Sequence, residues 1–302
     1  MSTAVSLDTQ SSVPVAGGVA AIAPTRRRSR WWVEALALLW LLWVYEAITN
    51  FAPLRLHAAL AHAEGLLHAE QALHLDPEQA LDGWLAGQHT LGVILSNYYD
   101  NAHFVVTFGL LGWLWWRRAD IYRPLRNSLV VVNLIAFIVF WLYPVAPPRM
   151  LGGFIDVVDA SHPFGDFHSG SLASHADEVA AMPSLHIAWA AWCSLAIWRM
   201  SRRRWARGLA IFYPCLTAFT VIATGNHFVL DILGGLAAMI LSVAVVQLAE
   251  RRRASRRERS QSSPPPARVH DGQRRRAGAP STPGGRAYRM SQSCYEVRDR
   301  VD

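Results

Sequence analysis

Long apolar segments alternate with short polar or arginine-rich stretches along this chain of 302 residues. Two of the segments, Leu129 to Leu142 and Ile232 to Val246, contain no charged residue. Runs of this length and apolarity are typical of helices that cross a membrane. The pattern therefore predicts an all-α, polytopic membrane protein, a bundle of six transmembrane helices at 31–50, 98–116, 127–143, 183–199, 207–224 and 228–248.

Arginines concentrate in alternate stretches between these segments, whereas the remaining stretches hold only Arg55 and Arg149. The clusters are Arg26, Arg27, Arg28 and Arg30; Arg117, Arg118, Arg123 and Arg126; Arg199, Arg202, Arg203, Arg204 and Arg207; and Arg251, Arg252, Arg253, Arg256 and Arg257. Basic residues concentrate on the cytoplasmic side of membrane proteins. We therefore expect both termini in the cytoplasm, and the loops 51–97, 144–182 and 224–227 outside.

The polar stretches differ in character. The loop 51–97 is rich in Leu and Ala, which predicts an interfacial helix on the outer leaflet, and Asp76 before Pro77 resembles the start of a second helix. We expect residues 1–30 to be a disordered cytoplasmic N-terminus and residues 249–302 a disordered basic cytoplasmic tail. The predicted membrane domain then spans 31–248.

Charge and cysteine content narrow the possible partners. The net charge of +7 comes from arginine alone, because the chain contains no lysine. These arginines lie at the ends of apolar segments and form no face suited to a nucleic acid, so we expect a membrane partner and no nucleic acid. Cys193, Cys215 and Cys294 have neither metal-ligand spacing nor a disulfide pattern. We predict no metal and no cofactor.

Two short motifs and one arginine carry the candidate chemistry. His227 and Asp231 are four residues apart, which on one helical face lets the carboxylate hold the imidazole in a single tautomer. Ser184 and His186 open another apolar segment, where backbone N–H groups and the helix dipole favour an anion. Arg149 follows the third predicted span. All five lie on the outer side in the predicted topology, and together they suit phosphoryl transfer to a histidine nucleophile.

These motifs resemble those of a known family. Pro-Ser-x-His followed by His-x-x-x-Asp is similar to the type 2 phosphatidic acid phosphatase superfamily, over roughly residues 31–248. The segment Tyr143 to Arg149, the leucine in Pro-Ser-Leu-His and the aromatic Phe228 after the second histidine are most similar to its inositol-phosphotransferase branch.

The resemblance implies a role for each motif residue. His227 would accept the phosphoryl group, and Asp231 would orient its imidazole. His186 would protonate the leaving oxygen and then activate the water or alcohol that attacks the phosphohistidine. Ser184 and Arg149 would bind phosphate oxygens.

The chain departs from the phosphatase branch at two cationic positions, which are occupied by Leu142 and Val221. We expect Thr224 and Asn226 to donate hydrogen bonds to the phosphate in their place. Neutral donors bind phosphate more weakly than charged ones. The departure therefore favours transfer between lipid and alcohol substrates over efficient hydrolysis of monoesters.

Two other groups of polar residues leave alternatives open. The outer loop 144–182 contains acidic and histidine residues that suit a flexible polar lid better than a metal site, namely Asp156, Asp159, His162, Asp166, His168, His175 and Asp177. At the outer end of the second span, a second group either reaches the site or forms an ordinary interfacial belt, namely Asn97, Tyr98, Tyr99, Asp100 and His103.

The sequence thus predicts a multi-pass plasma-membrane phosphatase or phosphotransferase that acts at the extracytoplasmic face. Its expected substrate is a lipid phosphate or phospholipid, with water or an alcohol such as inositol as acceptor. The two replaced cations also permit a different class, a non-catalytic lipid-phosphate binding or transport protein with the same fold. A vanadate-dependent oxidase is disfavoured, because it needs more cations around the anion.

Overall fold

The structure, a computed structural model, describes residues 30–49, 55–161 and 180–262. Of these residues, 84% are helical and none is in a strand, which confirms the all-α prediction. The predicted N-terminal leader lies outside the described residues except for Arg30, and so does the tail beyond residue 262. Residues 162–179, part of the predicted polar lid, lie outside them as well.

The described helices follow one another with short connections. In chain order they are α1 (Trp31–Thr49), α2 (Leu56–Leu73), α3 (Glu78–Ala86), α4 (His89–Arg117), α5 (Ala119–Leu142), the 3₁₀ turn Pro148–Met150, α6 (Val157–Ser161), α7 (Leu185–Met200), α8 (Arg204–Ala223) and α9 (Val229–Ser262). The chain divides into two units, Met1–Arg253 and Ala254–Asp302. Residues 249–262 are helical, so the predicted disorder of the tail does not apply to them.

Among the described residues, three helices are long and apolar enough to cross a membrane: α5, α8, and α9 over Val229–Ser260. In α1 the apolar stretch Trp31–Val44 is shorter. The predicted spans 98–116 and 183–199 fall largely within α4 and α7, of which α7 has 16 residues. The other three of the six predicted spans stay predictions.

The centre of the helical bundle is built on α7. Trp192 of α7 is fully buried and packs among Leu114 of α4 and Leu125 of α5. Its indole Nε1 donates a hydrogen bond to the Leu125 carbonyl at 2.8 Å, which satisfies the one polar atom of this large side chain. The contact fixes α7, which carries one motif histidine, against α5.

A proline in α8 creates a second polar link to α7. Pro214 lies inside α8 and has no N–H, so the carbonyl of Ala210 one turn earlier lacks its usual helical donor. The Ser194 hydroxyl of α7 donates to that carbonyl instead. This hydrogen bond ties α7 to α8 in an apolar environment, where an unsatisfied carbonyl would be costly.

Helices α2 and α3 pack against the segments that carry the motifs. Ala59, Ala63 and Leu66 line one face of α2 and pack in a cluster with Val145 and Phe228. The predicted start of α3 is displaced: Asp76 makes no capping bond, Pro77 flanks the helix, and α3 begins at Glu78. Glu78, the first residue of α3, accepts a hydrogen bond from another helix, as described below.

Candidate active site

His227 and Asp231 are paired, but the pair is built by a helix cap and not by two turns of one helix. His227 precedes α9, which begins at Val229. Asp231 is the third residue of α9, and its Oδ2 accepts the Phe228 N–H at 2.9 Å, as an acidic residue does when it caps the N-terminus of its own helix. The same Oδ2 lies 3.4 Å from His227 Nδ1. The predicted contact between the two side chains is therefore present. The prediction that both residues lie on one face of a helix is wrong, because His227 precedes the helix.

This contact defines the state of the His227 ring. A carboxylate only accepts hydrogen bonds, so the contact with Asp231 places a proton on Nδ1. His227 is 4% exposed and Asp231 is fully buried. The other ring nitrogen, Nε2, points away from Asp231 and toward His186.

Two further carboxylates complete the N-terminus of α9. Glu78 Oε1 accepts the Val229 N–H at 2.9 Å, and Glu70 Oε1 accepts the Leu230 N–H at 2.6 Å. Both glutamates are fully buried. Together with Asp231, they satisfy N–H groups that the start of a helix leaves without intrahelical partners.

Three carboxylates in one buried cluster cannot all carry charge at little cost. Burial raises the pKa of Glu70 to about 8, the neighbouring Glu78 and Asp231 charges add to the rise, and the Leu230 N–H opposes it. Glu70 consequently holds its proton to a higher pH than an exposed glutamate does, which limits the negative charge that the cluster must carry.

His186 faces His227 from the second residue of α7. Its Nδ1 lies 3.3 Å from His227 Nε2. Tyr99 of α4 stacks on the His186 ring at a centroid distance of 4.5 Å, and His103 meets it edge-on at 4.3 Å. These aromatic contacts fix the plane of the His186 ring.

Arg149 is presented by the 3₁₀ turn that follows α5. Its backbone N–H donates to the Gly225 carbonyl at 2.8 Å, and its Nη1 donates to the Asn226 side-chain oxygen. The Nε atom pairs with Asp156 Oδ2 at 3.1 Å. Gly225 has φ +66°, and a Cβ there would stand 3.1 Å from Asp82 Oδ1, so the close approach of the two loops requires a glycine.

Two predicted phosphate ligands are engaged in building the site. The Ser184 hydroxyl caps α7 by accepting the Ile187 N–H at 3.4 Å, and the Ser184 N–H donates to the Asp231 carbonyl at 3.1 Å. The Thr224 hydroxyl donates to the Thr220 carbonyl and accepts from Asn226 Nδ2, both at 2.8 Å. Ser184 and Thr224 are fully buried.

A cavity of about 290 Å³ opens onto the two histidines. Of the predicted site residues, four line it, namely Arg149, His186, Asn226 and His227. Ser184, Thr224 and Asp231 lie behind this wall and hold the lining residues through the hydrogen bonds described above. The structure thus brings all seven predicted residues into one region and divides them into a lining and a supporting group.

The two positions at which the phosphatase branch has a cation, Leu142 and Val221, differ in where they lie relative to the cavity. Leu142 is 71% exposed and does not line the cavity. Val221 is buried, and its carbonyl accepts the N–H groups of Asn226 at 3.0 Å and His227 at 3.1 Å. Two arginines line the cavity in the part of the chain that the structure describes, Arg126 and Arg149, and Arg149 is the one that bonds to the segment before His227.

Sequence reasoning missed several contributors. Tyr99, Asp100 and His103 line the cavity beside His186, so part of this group reaches the site and is more than an interfacial belt. Glu70 and Glu78 were not recognised at all. The available signal was that Glu70 continues the buried face of α2, where a charged residue requires a partner.

Asp82 provides a further buried carboxylate near Arg149. Its Oδ2 accepts the Ile155 N–H at 2.7 Å, which anchors the segment that carries Asp156. Burial raises the pKa of Asp82, and the Ile155 N–H opposes the rise. Within residues 30–49, 55–161 and 180–262, no three His, Cys, Asp or Glu side chains are arranged as a metal site.

Comparison with known proteins gives one match. The model of a family described as the PAP2 superfamily matches residues 64–245, a region that contains both histidine motifs, Arg149 and the two buried glutamates. Searches of curated proteins and of solved structures give no match. Because the matched region covers more than half of the chain, this protein belongs to the PAP2 superfamily.

Proposed function

We propose that the protein is an integral membrane phosphatase or phosphotransferase that acts on lipid phosphate esters through a phosphohistidine on His227. Membership of the PAP2 superfamily suggests phosphatase-type activity on phosphate esters. The observation that carries the proposal is the His227 ring, with Nδ1 against Asp231 at 3.4 Å and Nε2 against His186 at 3.3 Å. A buried nucleophile, an orienting anion and a second proton-exchanging ring are the groups that such a mechanism requires.

In the first step, His227 Nε2 attacks phosphorus and the bond to the leaving oxygen breaks. His186 gives its proton to that oxygen, which leaves as an alcohol. The positive charge that forms on the His227 ring is balanced by Asp231. Because in-line transfer places phosphorus between the attacking nitrogen and the leaving oxygen, substrate must separate the His227 and His186 rings as it binds.

In the second step, His186 takes a proton from water or from an alcohol, whose oxygen attacks the phosphohistidine. The N–P bond breaks, and the product is inorganic phosphate or a new phosphate ester. Arg149 and Asn226 bind the phosphoryl oxygens in both steps, Arg149 through its planar guanidinium. Ser184 and Thr224 position the lining residues, and we assign no direct phosphate contact to them.

The proposed setting is the extracytoplasmic face of the plasma membrane, with six spans and both termini in the cytoplasm. Support comes from the arginine clusters and from the three long apolar helices. The lipid character of the substrate is supported by the apolar wall that continues from the histidines. An alcohol acceptor such as inositol is favoured over water by the absence of cations at Leu142 and Val221.

The test is turnover by purified protein in detergent, for wild type and His227→Ala, in the presence of EDTA. Release of phosphate from lipid phosphates, or headgroup transfer to an added alcohol, is expected from wild type and is expected to fall at least about a thousandfold in the variant. A ³²P-labelled substrate is expected to leave acid-labile label on wild type alone. Tight lipid-phosphate binding with neither turnover nor label would instead support the binding or transport alternative.

A further inference from the structure

The cavity that opens at the histidines continues along the helices to the opposite end of the bundle. Its lining begins with His186, His227 and Arg149 and reaches Glu34 of α1 and Arg126 of α5. Tyr122 and Phe140, both on α5, also line it. Eighteen helical steps of 1.5 Å separate these two residues, about 27 Å, which is close to the ~30 Å hydrocarbon thickness of a bilayer.

The walls between the two ends are mostly apolar. They are formed by α1, α4 and α5, through residues such as Leu38, Leu41, Phe108, Leu111, Leu129 and Phe137. Asn133 is the polar exception along the α5 wall, and its amide donates to the Leu129 carbonyl of its own helix at 2.7 Å. Such a wall suits a hydrocarbon chain and offers little to a polar ligand.

An ion pair lines the far end of the cavity. Arg126 Nε lies 3.1 Å from Glu34 Oε2, and Arg126 Nη2 donates to Glu34 Oε1 at 3.3 Å. The Tyr122 hydroxyl lies beside both side chains. Separating a partly buried, two-point ion pair is costly, so an apolar chain end would stop at this pair and not pass it.

We propose that this cavity receives the apolar chain of the substrate, and that the Arg126–Glu34 pair is the floor that limits its length. The proposal rests on the proposed function, because the phosphate group would lie at the histidine end. An extended peptide spans about 3.6 Å per residue of three backbone bonds, so an extended chain advances about 1.2 Å per bond. The 27 Å between Tyr122 and Phe140 therefore corresponds to a chain of roughly 20 carbon atoms.

The experiment uses photolabelling, so that it does not depend on turnover. Purified His227→Ala protein is irradiated with decyl phosphate or eicosyl phosphate, each carrying a diazirine at the end of its chain, and labelled peptides are identified by mass spectrometry. The C20 probe is expected to label residues at or next to Glu34, Tyr122 and Arg126. The C10 probe is expected to label near Asn133, halfway along the wall. Labelling of the outward-facing Leu39 and Ile138 by both probes, with none at the floor, would overturn the proposal.

A matched pair of tryptophan variants tests the path. Val130 lines the cavity about 15 Å from Phe140 along α5, whereas Ile138 is 59% exposed on the same helix. Val130→Trp is expected to lower floor labelling by the C20 probe at least tenfold and to spare labelling by the C10 probe. Ile138→Trp is expected to change neither. Equal effects of the two variants would contradict the proposal.

The experiments distinguish a failure of the proposed catalytic function from a failure of the proposed chain cavity. Floor labelling without turnover by wild type would support the chain cavity and exclude the catalytic function. Turnover that is abolished by His227→Ala, together with labelling confined to the outward-facing residues, would support the catalytic function and exclude the cavity.

Discussion

Glu70 and Leu230 are 160 residues apart in the sequence, yet the Glu70 carboxylate accepts the Leu230 N–H at 2.6 Å. Through this bond and the similar one from Glu78, helices α2 and α3 hold the N-terminus of α9, the helix that contains Asp231. The position of His227 is therefore set by residues that do not line the cavity.

Replacing Asp231 with asparagine should remove the anion behind His227 while keeping its size. An asparagine amide can donate to Nδ1, which would move the ring proton to Nε2 and block the nucleophile. We expect kcat to fall roughly a hundredfold or more with a small change in KM. Asp120→Asn, which alters an exposed pair with Arg118, is the control and should keep wild-type kcat. An unchanged kcat in Asp231→Asn would exclude the orienting role.

Replacing Arg149 with lysine should show whether the site needs only the positive charge at this position or also the planar shape of the guanidinium. Lysine keeps the positive charge but cannot contact Asn226 and Asp156 at once through a planar group. Loss of charged hydrogen bonds predicts a rise in KM, or a fall in kcat/KM, of about ten- to a hundredfold. Steady-state kinetics with the best substrate measure KM and kcat/KM of the variant. Values equal to those of wild type would contradict the phosphate-binding role of Arg149.

The raised pKa of Glu70 predicts how stability changes with pH. A carboxyl group that binds its proton more tightly in the folded protein stabilises the fold below its ordinary pKa of 4.5 and loses that contribution as the pH rises to about 8. The melting temperature in detergent should therefore decline across this window. Glu70→Gln imitates the protonated form and should flatten the decline. A slope as steep as that of wild type would assign the pH dependence to another group.

A companion variant tests the hydrogen bond itself. Glu70→Leu leaves the buried Leu230 N–H without an acceptor, at a cost of about 1–3 kcal/mol, whereas glutamine retains an acceptor oxygen. We expect Glu70→Leu to melt several degrees below Glu70→Gln at pH 5. Equal melting temperatures would mean that this N–H finds another partner.

Gly225 should be intolerant of substitution. At φ +66° an alanine is strained by roughly 1–2 kcal/mol, and its Cβ would press on Asp82 beside the Arg149 loop. We expect Gly225→Ala to lose stability and kcat/KM together. Gly208→Ala, on the surface of α8 with open space around its Cβ position, should be neutral or slightly stabilising. Thermal melts and kinetics of the pair provide the comparison.

The sequence was informative where the interactions are local. Apolar runs predicted the helices, and the spacing between His227 and Asp231 predicted their pairing. The helix start at Val229 was not predicted, because several local conformations bring residues four apart together. Glu70 and Glu78 could not be assigned, since their acceptor role depends on contacts more than 150 residues away. Whether Tyr99 and His103 face the site depends on the rotation of α4 about its axis. The sequence does not define this rotation, because α4 has polar residues on several faces.

Gly235 gives the site a feature that substitution could exploit. A Cβ at this position of α9 would stand 2.4 Å from the Ser184 carbonyl oxygen, so the backbones of α7 and α9 touch close to the segments that carry the two histidines. Glycine permits this approach because it has no Cβ. A series of progressively larger residues at 235 is expected to move α9 away from α7, and with it His227 away from His186, while leaving both histidines chemically intact.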